Sequence, residues 1–474
     1  MRDLVWVRGK DLRVNDHPAI AAGGPDAVHV FVVDPYFFAP DRAQSMPHRM
    51  QFLLESLHGM AEALRAKGGK LWFVAGKSVE VVPRLAQSLG VDRVLAMRWS
   101  EPFGRERDER VEAALDCPLE LLEGETLLAP GTLRSQAGRP YTVFTPFNKS
   151  FRKRIRVGPE QRPPKTFRPL VALPDGWREA PMPTMESVGL KANPNLQRGG
   201  EGHAKARLEA FVDGPGSRYA ELRDRMDAAG TSRLSADIKF GVISPQAAWR
   251  RVMKSGLPEA EKKKFTDELI WREFNYSTMW DNPSVLTHAF KGSWATFPWR
   301  DDEEHWDAWA FGRTGYPIVD AAARELLETG YVHNRARMIA ASFLTKHLRL
   351  DYKRGEAHYM RWLTDGDWAQ NNMGWQWAAG SGADAQPWFR VFNPMTQGRK
   401  FDPLGVYVQR WVPELAGLDA KFIHAPWEAP PMTLQWAGIE LGETYPMPIV
   451  DHKEARTDFL ATAKAHVESV SAQS

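Results

Sequence analysis

Two polar stretches rich in aromatic residues lie in the last third of the 474-residue chain. Residues 331–338 have the sequence YVHNRARM, and residues 365–377 have the sequence DGDWAQNNMGWQW. Both have helical character, yet they carry charges, amides and indoles where an ordinary core helix carries leucine and alanine. Large flat apolar rings beside fixed polar groups suit a heteroaromatic ligand with hydrogen-bonding edges, such as a flavin or a nucleobase.

Helical spacing places several of these polar groups on shared faces. Asn334, Arg337 and Met338 follow an i, i+3, i+4 pattern, and Met338 offers a polarisable surface to a ligand or to the core. Asp365 and Asp367 stand where the next predicted helix begins. Their carboxylates can cap that helix, accept N–H donors from a heteroaromatic ring, or pair with Arg337.

A third group has the same spacing on a helix predicted over residues 258–281. Glu268, Trp271 and Arg272 share one face of it. A carboxylate, an indole and a guanidinium on one face can hold a base edge, stack on a ring and bind a phosphate. The alternative is a set of surface ion pairs around one core tryptophan.

Residues 230–235, GTSRLS, bring three hydroxyls and an arginine close to a predicted helix start. Hydroxyls and free N–H groups at a helix N-terminus form an anion site. Tyr219 lies twelve residues earlier and can close over this segment. An ordinary N-cap is the alternative.

Two other kinds of chemistry lack their signatures in the sequence. No His or Cys cluster with metal-ligand spacing accompanies the paired aspartates, so no metal site is predicted. No Gly-x-Ser-x-Gly elbow or triad order is present, so hydrolase chemistry has no nucleophile.

Composition sets broader limits. Single cores stop growing near ~250–300 residues, so more than one domain is expected. The 62 basic and 59 acidic residues give a net charge of +3, which permits only a local basic face. Cys117 is the only cysteine, charges stand in the first three residues, and no apolar run approaches ~20 residues. We expect a cytoplasmic protein without a membrane segment, whose 19 tryptophans mainly pack its core.

The pattern changes along the chain. Residues 1–130 alternate apolar strands, at 4–7, 27–33, 70–75 and 93–97, with amphipathic helices, which predicts a parallel sheet. Residues 131–202 are rich in proline and arginine and form a predicted interdomain linker, with a basic run at 149–156. Residues 203–474 are predicted to be all helical. Helices are predicted over 203–213, 216–228, 244–254, 258–281, 317–329, 332–348, 355–364 and 368–379.

Several long motifs in order resemble the photolyase/cryptochrome family. Residues 4–16 are similar to its opening strand and turn, and the resemblance runs from about residue 3 to residue 454. It implies a Rossmann-like N-terminal domain with a parallel five-stranded sheet, followed by an all-α domain that binds FAD. The motifs are residues 230–235, 268–274, 314–321, 333–338, 365–367, 371–377 and 392–398.

The resemblance also implies a place for FAD, folded into a U shape in the helical domain. Arg337 and Asp365 would pair beside the isoalloxazine, and Asp367 would accept from a ring N–H or the ribose edge. Asn371 would face N5, where its amide favours the reduced form, FADH⁻. The other cofactor contacts that the resemblance implies are Tyr219, Thr231, Ser232, Arg233, Leu234, Ser235, Phe265, Arg272 and Asn334.

The implied reaction is light-driven splitting of cyclobutane pyrimidine dimers in DNA, by electron transfer from excited FADH⁻ to a flipped-out dimer. Glu268 would hydrogen-bond the dimer, and Trp271 and Trp377 would form an apolar wall. Met338 cannot move a proton, which disfavours repair of (6-4) photoproducts. The implied DNA contacts are Arg223, Glu268, Trp271, Asn334, Met338, Trp377, Arg390, Asn393, Gln397, Arg399 and Lys400.

One departure from the family pattern concerns the chain of aromatic residues that reduces the flavin in light. The matching positions are Trp375, Tyr352 and Trp299, whereas the family usually has three tryptophans. A tyrosine is harder to oxidise unless it loses its proton, so the middle step should be slower. A route through Trp362 or Trp368 is the alternative.

Other points stay open in the sequence. A second, antenna chromophore is implied by the family, and residues 98–105 lie in the expected loop. Folate, a deazaflavin and an empty site all remain alternatives. A blue-light cryptochrome receptor and a (6-4) photolyase are the rival functions. We expect a monomer that acts on DNA containing pyrimidine dimers.

Overall fold

The structure, a computed structural model, describes residues 2–473. It forms two compact units, and the chain passes between them several times. The first unit comprises residues 1–217, 232–283 and 364–366; the second comprises residues 218–231, 284–363 and 367–474. The limits 1–130, 131–202 and 203–474 stay a prediction.

The first unit is built on a parallel sheet of five strands in the order β3-β2-β1-β4-β5. All five residues of β1 are buried, as expected for a central strand covered by helices on both faces. The four strands expected from the sequence are confirmed. The strands are β1 Asp3–Val7, β2 Val28–Val33, β3 Leu71–Ala75, β4 Arg93–Met97 and β5 Leu119–Leu122.

Helices cover the sheet and continue beyond it within the first unit. The helix α7 lies in the predicted linker. It buries Phe144, Phe147 and Phe151, while Arg152, Lys153 and Arg154 lie in its last turn. These helices are α1 Pro18–Gly23, α2 Pro35–Phe38, α3 Pro40–Gln44, α4 Pro47–Arg65, α5 Ser78–Leu89, α6 Pro102–Ala114, α7 Phe144–Arg154, α8 Glu201–Asp213, α10 Ser235–Lys239, α11 Pro245–Met253 and α12 Glu259–Asp281.

The second unit is helical, as expected. Its helices are α9 Tyr219–Leu222, α13 Glu303–Ala310, α14 Pro317–Thr329, α15 Asn334–Lys346, α16 Tyr352–Trp362, α17 Trp368–Ala379, α18 Pro394–Phe401, α19 Val406–Trp411, α20 Pro431–Trp436 and α21 His452–Gln473. Among residues 2–473, none of the helices is long and apolar enough to cross a membrane.

One helix prediction is wrong. Residues 216–228 form a 3₁₀ turn at Pro215–Arg218 and the short helix α9, which ends at Leu222. The backbone N–H of Met226 donates to the carbonyl of Phe401 at 2.9 Å, so tertiary pairing replaces the helical bond.

A buried carboxylate fixes the motif at residues 314–321. Asp320 accepts from the backbone N–H and the hydroxyl of Thr314, both at 2.7 Å, and from the N–H of Gly315 at 3.1 Å. The Tyr445 hydroxyl also donates to it at 2.6 Å. A buried charge needs such partners, so this motif holds the start of α14 in place.

The helices α16 and α17 pack closely because α16 carries a glycine at the contact. A Cβ on Gly355 would collide with the indole of Trp375 and lie 2.6 Å from a methyl carbon of Leu344. Any larger residue must push Trp375 out of its position in the core.

Gly355→Ala is therefore expected to lower the free energy of unfolding by ~1–3 kcal/mol. Chemical denaturation of purified protein measures this. Gly374→Ala is the matched control, because Gly374 is in α17 and a Cβ there meets nothing within 4 Å. That variant should be neutral or slightly stabilising. Equal destabilisation by the two substitutions would contradict the packing argument.

Candidate functional site

The helix α12 presents the predicted dimer-binding residues of the first unit. Trp271 stacks on Phe144 with ring centroids 3.6 Å apart and an interplanar angle of 6°. The Glu268 side chain is 32 % exposed, and its carboxylate lies 4.0 Å from the Lys264 ammonium. Phe265 is buried and packs against Phe211. Phe144 thus fixes the plane of the Trp271 ring, while Glu268 keeps access to solvent.

Arg272 lies on the same helix but is held by other groups of the first unit. Its guanidinium donates to the backbone carbonyl of Glu125 at 2.9 Å and lies 3.4 Å from the Glu273 carboxylate. It also stands 4.6 Å from the centre of the Tyr276 ring. Its predicted contact with the cofactor stays a prediction.

A buried ionic cluster sets the electrostatics around Arg272. The Lys10 ammonium donates to Glu101 and Glu125, each at 2.7 Å. Burial raises the pKa of Glu125, but Lys10 and Arg272 outweigh it and the net pKa falls below its ordinary value. Burial raises the pKa of Glu273 to about 7, although Arg272 lowers it. The cluster holds the positive charges of Lys10 and Arg272 in fixed positions.

The boundary between the two units falls within the segment 231–235. Thr231 belongs to the second unit, and residues 232–235 belong to the first. The capping alternative is wrong, because α10 has Leu234 at its N-cap and no side-chain cap. Arg233 has a positive φ of 54°, which is a strained backbone for a non-glycine residue.

In the second unit, α15 carries the residues predicted to contact both cofactor and DNA. The Arg337 Nε donates to the Val332 carbonyl at 2.7 Å, which directs the guanidinium back along the helix. Asn334 is exposed, and its Nδ2 lies 3.7 Å from the Met338 sulfur. Met338 packs against the core of the second unit. Asn334 and Met338 therefore form one surface at the start of α15.

The two aspartates of residues 365–377 differ in burial and in the unit to which they belong. Asp367 is buried and caps α17, since its Oδ1 accepts from the Gln370 N–H at 3.0 Å. This confirms the capping interpretation for Asp367. Asp365 is half-buried and belongs to the first unit, and its pairing with Arg337 stays a prediction.

Asn371 has a fixed orientation. Its Nδ2 donates to the backbone carbonyl of Glu356 at 2.9 Å, and the side chain is buried. The neighbouring Asn372 donates to the Glu356 carboxylate at 3.0 and 3.2 Å. With the amide N–H committed to α16, the Oδ1 of Asn371 is the atom left to accept a hydrogen bond from a ligand.

The predicted electron-transfer residues lie in the second unit. Trp375 is buried, with the Tyr359 ring 5.1 Å and the Trp309 ring 5.9 Å away between centroids. Trp299 and Tyr352 are 6.3 Å apart. Trp377 packs against the same core and is partly buried, so part of its indole stays exposed.

The predicted DNA-backbone residues differ in how free their charges are. Arg390 and Lys400 are exposed. The Arg399 guanidinium instead pairs with Glu428 at 2.7 Å, and Asn393 caps α18 by accepting from the Thr396 N–H at 2.9 Å. Two more members have partly exposed side chains, Arg223 and Gln397.

Sequence reasoning missed three residues that contact predicted site residues directly or through a neighbouring ring, one in the first unit and two in the second. Phe144 lies in the predicted linker, so its stacking on Trp271 was not foreseen. Trp306 and Trp309 lie one turn apart on α13, with ring centroids 5.5 Å apart. Their i, i+3 spacing was a readable signal of a shared helix face. Among residues 2–473, no group of three or more His, Cys, Asp or Glu side chains is placed to hold a metal ion.

Comparison with known proteins identifies the class of protein to which this chain belongs. One family model, described as DNA photolyase, matches residues 3–169, and another, described as the FAD binding domain of DNA photolyase, matches residues 265–465. The chain is 40 % identical over 465 residues to a deoxyribodipyrimidine photo-lyase of Thermus thermophilus, covering 97 % of this chain and 98 % of that protein. These matches define a flavoprotein that binds FAD. The chain belongs to the DNA photolyase family, as its motifs predicted.

Solved structures agree with the fold. A bacterial class III photolyase from Agrobacterium tumefaciens superposes with a TM-score of 0.90 at 36 % identity, over 98 % of each chain. A cryptochrome from Synechocystis superposes with a TM-score of 0.87 at 28 % identity, over 97 % of this chain and 99 % of that one. The fold is thus common to repair enzymes and to cryptochromes.

The Glu356 carboxyl makes the stability of the second unit depend on pH. Burial raises its pKa from 4.5 to about 7, against the lowering effect of the Asn372 hydrogen bonds and Lys353. Between these two values the unfolded chain releases the proton while the folded chain keeps it. The free energy of unfolding therefore falls as pH rises from 4.5 to about 7, by up to ~3 kcal/mol.

Glu356→Gln should remove this loss, because the amide resembles the protonated acid and still accepts from Asn372. We expect the variant to gain stability relative to the unchanged protein at pH 8 and little at pH 4. Thermal unfolding across this range measures the difference. Glu304→Gln, at an exposed position of α13, is the control and should give parallel curves. Parallel curves for Glu356→Gln would contradict the assignment.

Proposed function

We propose that this chain is a light-dependent repair enzyme that splits cyclobutane pyrimidine dimers in DNA. The observation that carries the proposal is the orientation of Asn371, whose Nδ2 is bound to the Glu356 carbonyl at 2.9 Å. That contact turns Oδ1 into a buried acceptor, which fits the N5–H donor of a reduced flavin. The near full-length similarity to deoxyribodipyrimidine photo-lyases supports the same substrate.

Residues of each unit fit FAD by their chemistry. In the second unit, Arg337 offers a guanidinium, Asn371 an acceptor and Asp367 a buried carboxylate beside a helix start. In the first unit, the Ser232 and Ser235 hydroxyls and nearby backbone N–H groups suit phosphate oxygens. When bound, the reduced flavin supplies, after absorbing light, the electron that opens the cyclobutane ring, and it receives that electron back.

The chain's own residues prepare the dimer for this electron. Glu268 hydrogen-bonds the pyrimidine edge, and this contact stabilises the charge added to the dimer. Trp271, held flat by Phe144, gives an apolar surface on which an extruded base can stack. Met338 and Trp377 supply further apolar surface in the second unit and exclude water.

The identity of residue 338 separates the repair reactions. Repair of a (6-4) photoproduct needs a proton donor at the lesion, and the Met338 thioether has no proton to give. Splitting of a cyclobutane dimer needs only an electron that returns. Met338 therefore favours the cyclobutane substrate.

A cryptochrome receptor is the second candidate, because the Synechocystis cryptochrome has the same fold. The decisive experiment is to illuminate chemically reduced protein with oligothymidylate that contains dimers. Return of the thymine absorbance is the expected result. Intact dimers after prolonged illumination of fully reduced, FAD-loaded protein would contradict repair and favour the receptor.

We further propose that the protein acts as a monomer on duplex or single-stranded DNA through non-specific backbone contacts, and that it works in the cytoplasm. Exposed Arg390 and Lys400 are suited to phosphate contacts, which supply affinity without reading sequence.

Glu268→Gln should lower the quantum yield of repair, because the amide replaces the carboxyl group whose hydrogen bond stabilises the charge added to the dimer. FAD absorbance and DNA affinity should change little. Glu259→Gln, at an 81 % exposed side chain in the first turn of the same helix, is the control. Repair yield under flash illumination is the measurement. Equal yields in the two variants would remove Glu268 from the reaction.

Lys400→Ala should weaken binding to dimer-containing duplex and reduce the slope of log K against log salt by about 1. The loss of one phosphate contact is the physical reason. Lys464→Ala, at a 70 % exposed side chain in α21, serves as the control. Fluorescence anisotropy titrations at several salt concentrations give both slopes. An unchanged slope for Lys400→Ala would place that residue outside the interface.

A further inference from the structure

Three tryptophans of the second unit form a continuous series of ring contacts. The Trp375 and Trp309 rings have centroids 5.9 Å apart, and the Trp309 and Trp306 rings have centroids 5.5 Å apart. Trp375 and Trp309 are 3 % and 2 % exposed, whereas Trp306 is only partly buried. The series therefore runs from the core of the second unit to its surface.

The route expected from the family pattern is less continuous. Tyr352 lies 6.3 Å from Trp299, but in residues 2–473 no ring contact of this kind joins Tyr352 to Trp375. The Tyr352 hydroxyl is also buried, and no described protein group accepts its proton. A tyrosine yields an electron readily only when its proton can leave. Tyr352 is thus a poor intermediate for electrons.

We propose that Trp309 and Trp306 carry electrons from the protein surface to Trp375 during light-driven reduction of the bound flavin, in place of Tyr352 and Trp299. The proposal rests on the proposed function, because it takes Trp375 as the residue that delivers the electron to the flavin.

The surroundings of Trp309 suit a transient positive charge. Its indole N–H donates to the Ala340 carbonyl at 3.0 Å, which places a partial negative charge beside the ring. The His358 imidazole lies against both Trp306 and Trp309, at 5.6 and 5.8 Å. Burial, helped by Arg361, lowers the pKa of His358 to about 4, so the imidazole beside the two rings is uncharged at neutral pH.

Trp306 is suited to the outer end of the series. The Arg354 guanidinium lies 4.5 Å from its ring, but Asp301 and Glu303 pair with that guanidinium at 3.3 and 2.8 Å and offset its charge. A partly exposed indole that has lost an electron can release its N–H proton to water. The electron vacancy is then held on Trp306, away from the core, and the electron does not return quickly from the flavin.

The electrons and protons balance with one added reductant. For each photon, Trp375 gives one electron to the flavin, Trp309 replaces it on Trp375, and Trp306 replaces it on Trp309. Trp306 releases its indole proton to water and regains a proton when a thiol reductant returns the electron. The thiol is oxidised and ends as a disulfide.

The test compares Trp306→Phe and Trp309→Phe with Tyr352→Phe and Trp299→Phe in FAD-loaded protein. Photoreduction by light is followed with dithiothreitol as the reductant, and the amino-acid radicals are identified by time-resolved electron paramagnetic resonance. We expect Trp306→Phe and Trp309→Phe to lose more than half of the photoreduction yield. Tyr352→Phe and Trp299→Phe should keep most of it, and only tryptophan radicals should be seen in the unchanged protein.

A full yield in Trp306→Phe, or a tyrosine radical that disappears in Tyr352→Phe, would overturn the proposal. FAD absorbance shows that each variant is loaded and folded. Because Trp306 is only partly buried, its replacement by Phe should leave the core intact. Repair by dithionite-reduced protein is measured in parallel. Absent repair in every sample, with the radical series intact, would count against the proposed function and leave the electron route standing.

Discussion

The contact between α16 and α17 is the constraint on which the second unit depends. Gly355 leaves the space that Trp375 fills, and the backbone carbonyl of Glu356 takes the amide N–H of Asn371. A single interface thus sets the position of an indole and the direction of a buried amide. Since the Glu356 carboxyl is itself held by Asn372, the interface is polar as well as close-packed, and both features specify one register of the two helices.

Many elements of the fold could be predicted from the local sequence. Strand and helix periodicity located β1 and α12. Capping by Asp367 was one of the roles the sequence offered, because capping needs only neighbouring residues. What could not be predicted depends on residues distant in the chain. The partner of Arg272 is the carbonyl of Glu125, and the partner of Trp271 is Phe144, and no local pattern connects these positions. Residues 223–228 failed as a helix for the same reason, since the Met226 N–H pairs with Phe401.

The family pattern and the structure contribute different knowledge about the aromatic residues. The pattern identifies Trp375, Tyr352 and Trp299 by their order in the chain. The ring distances show that Trp309 contacts Trp375 as well, and that Trp306 extends the contact toward solvent. Substitution of one member of this series therefore need not interrupt electron supply, because a Trp-rich core offers neighbouring rings at similar separations.

The stack of Phe144 on Trp271 has a consequence for protein engineering. The helix α7, which carries Phe144, follows the strands of the sheet in the sequence and precedes the helical residues 203–474. The composition of its segment suggests a linker in which substitutions would be tolerated. A chimera with the sheet of another protein should have its crossover point before residue 144, so that α7 stays with α12. A crossover after α7 would supply a foreign residue beneath the indole and tilt the platform on which a base is expected to rest.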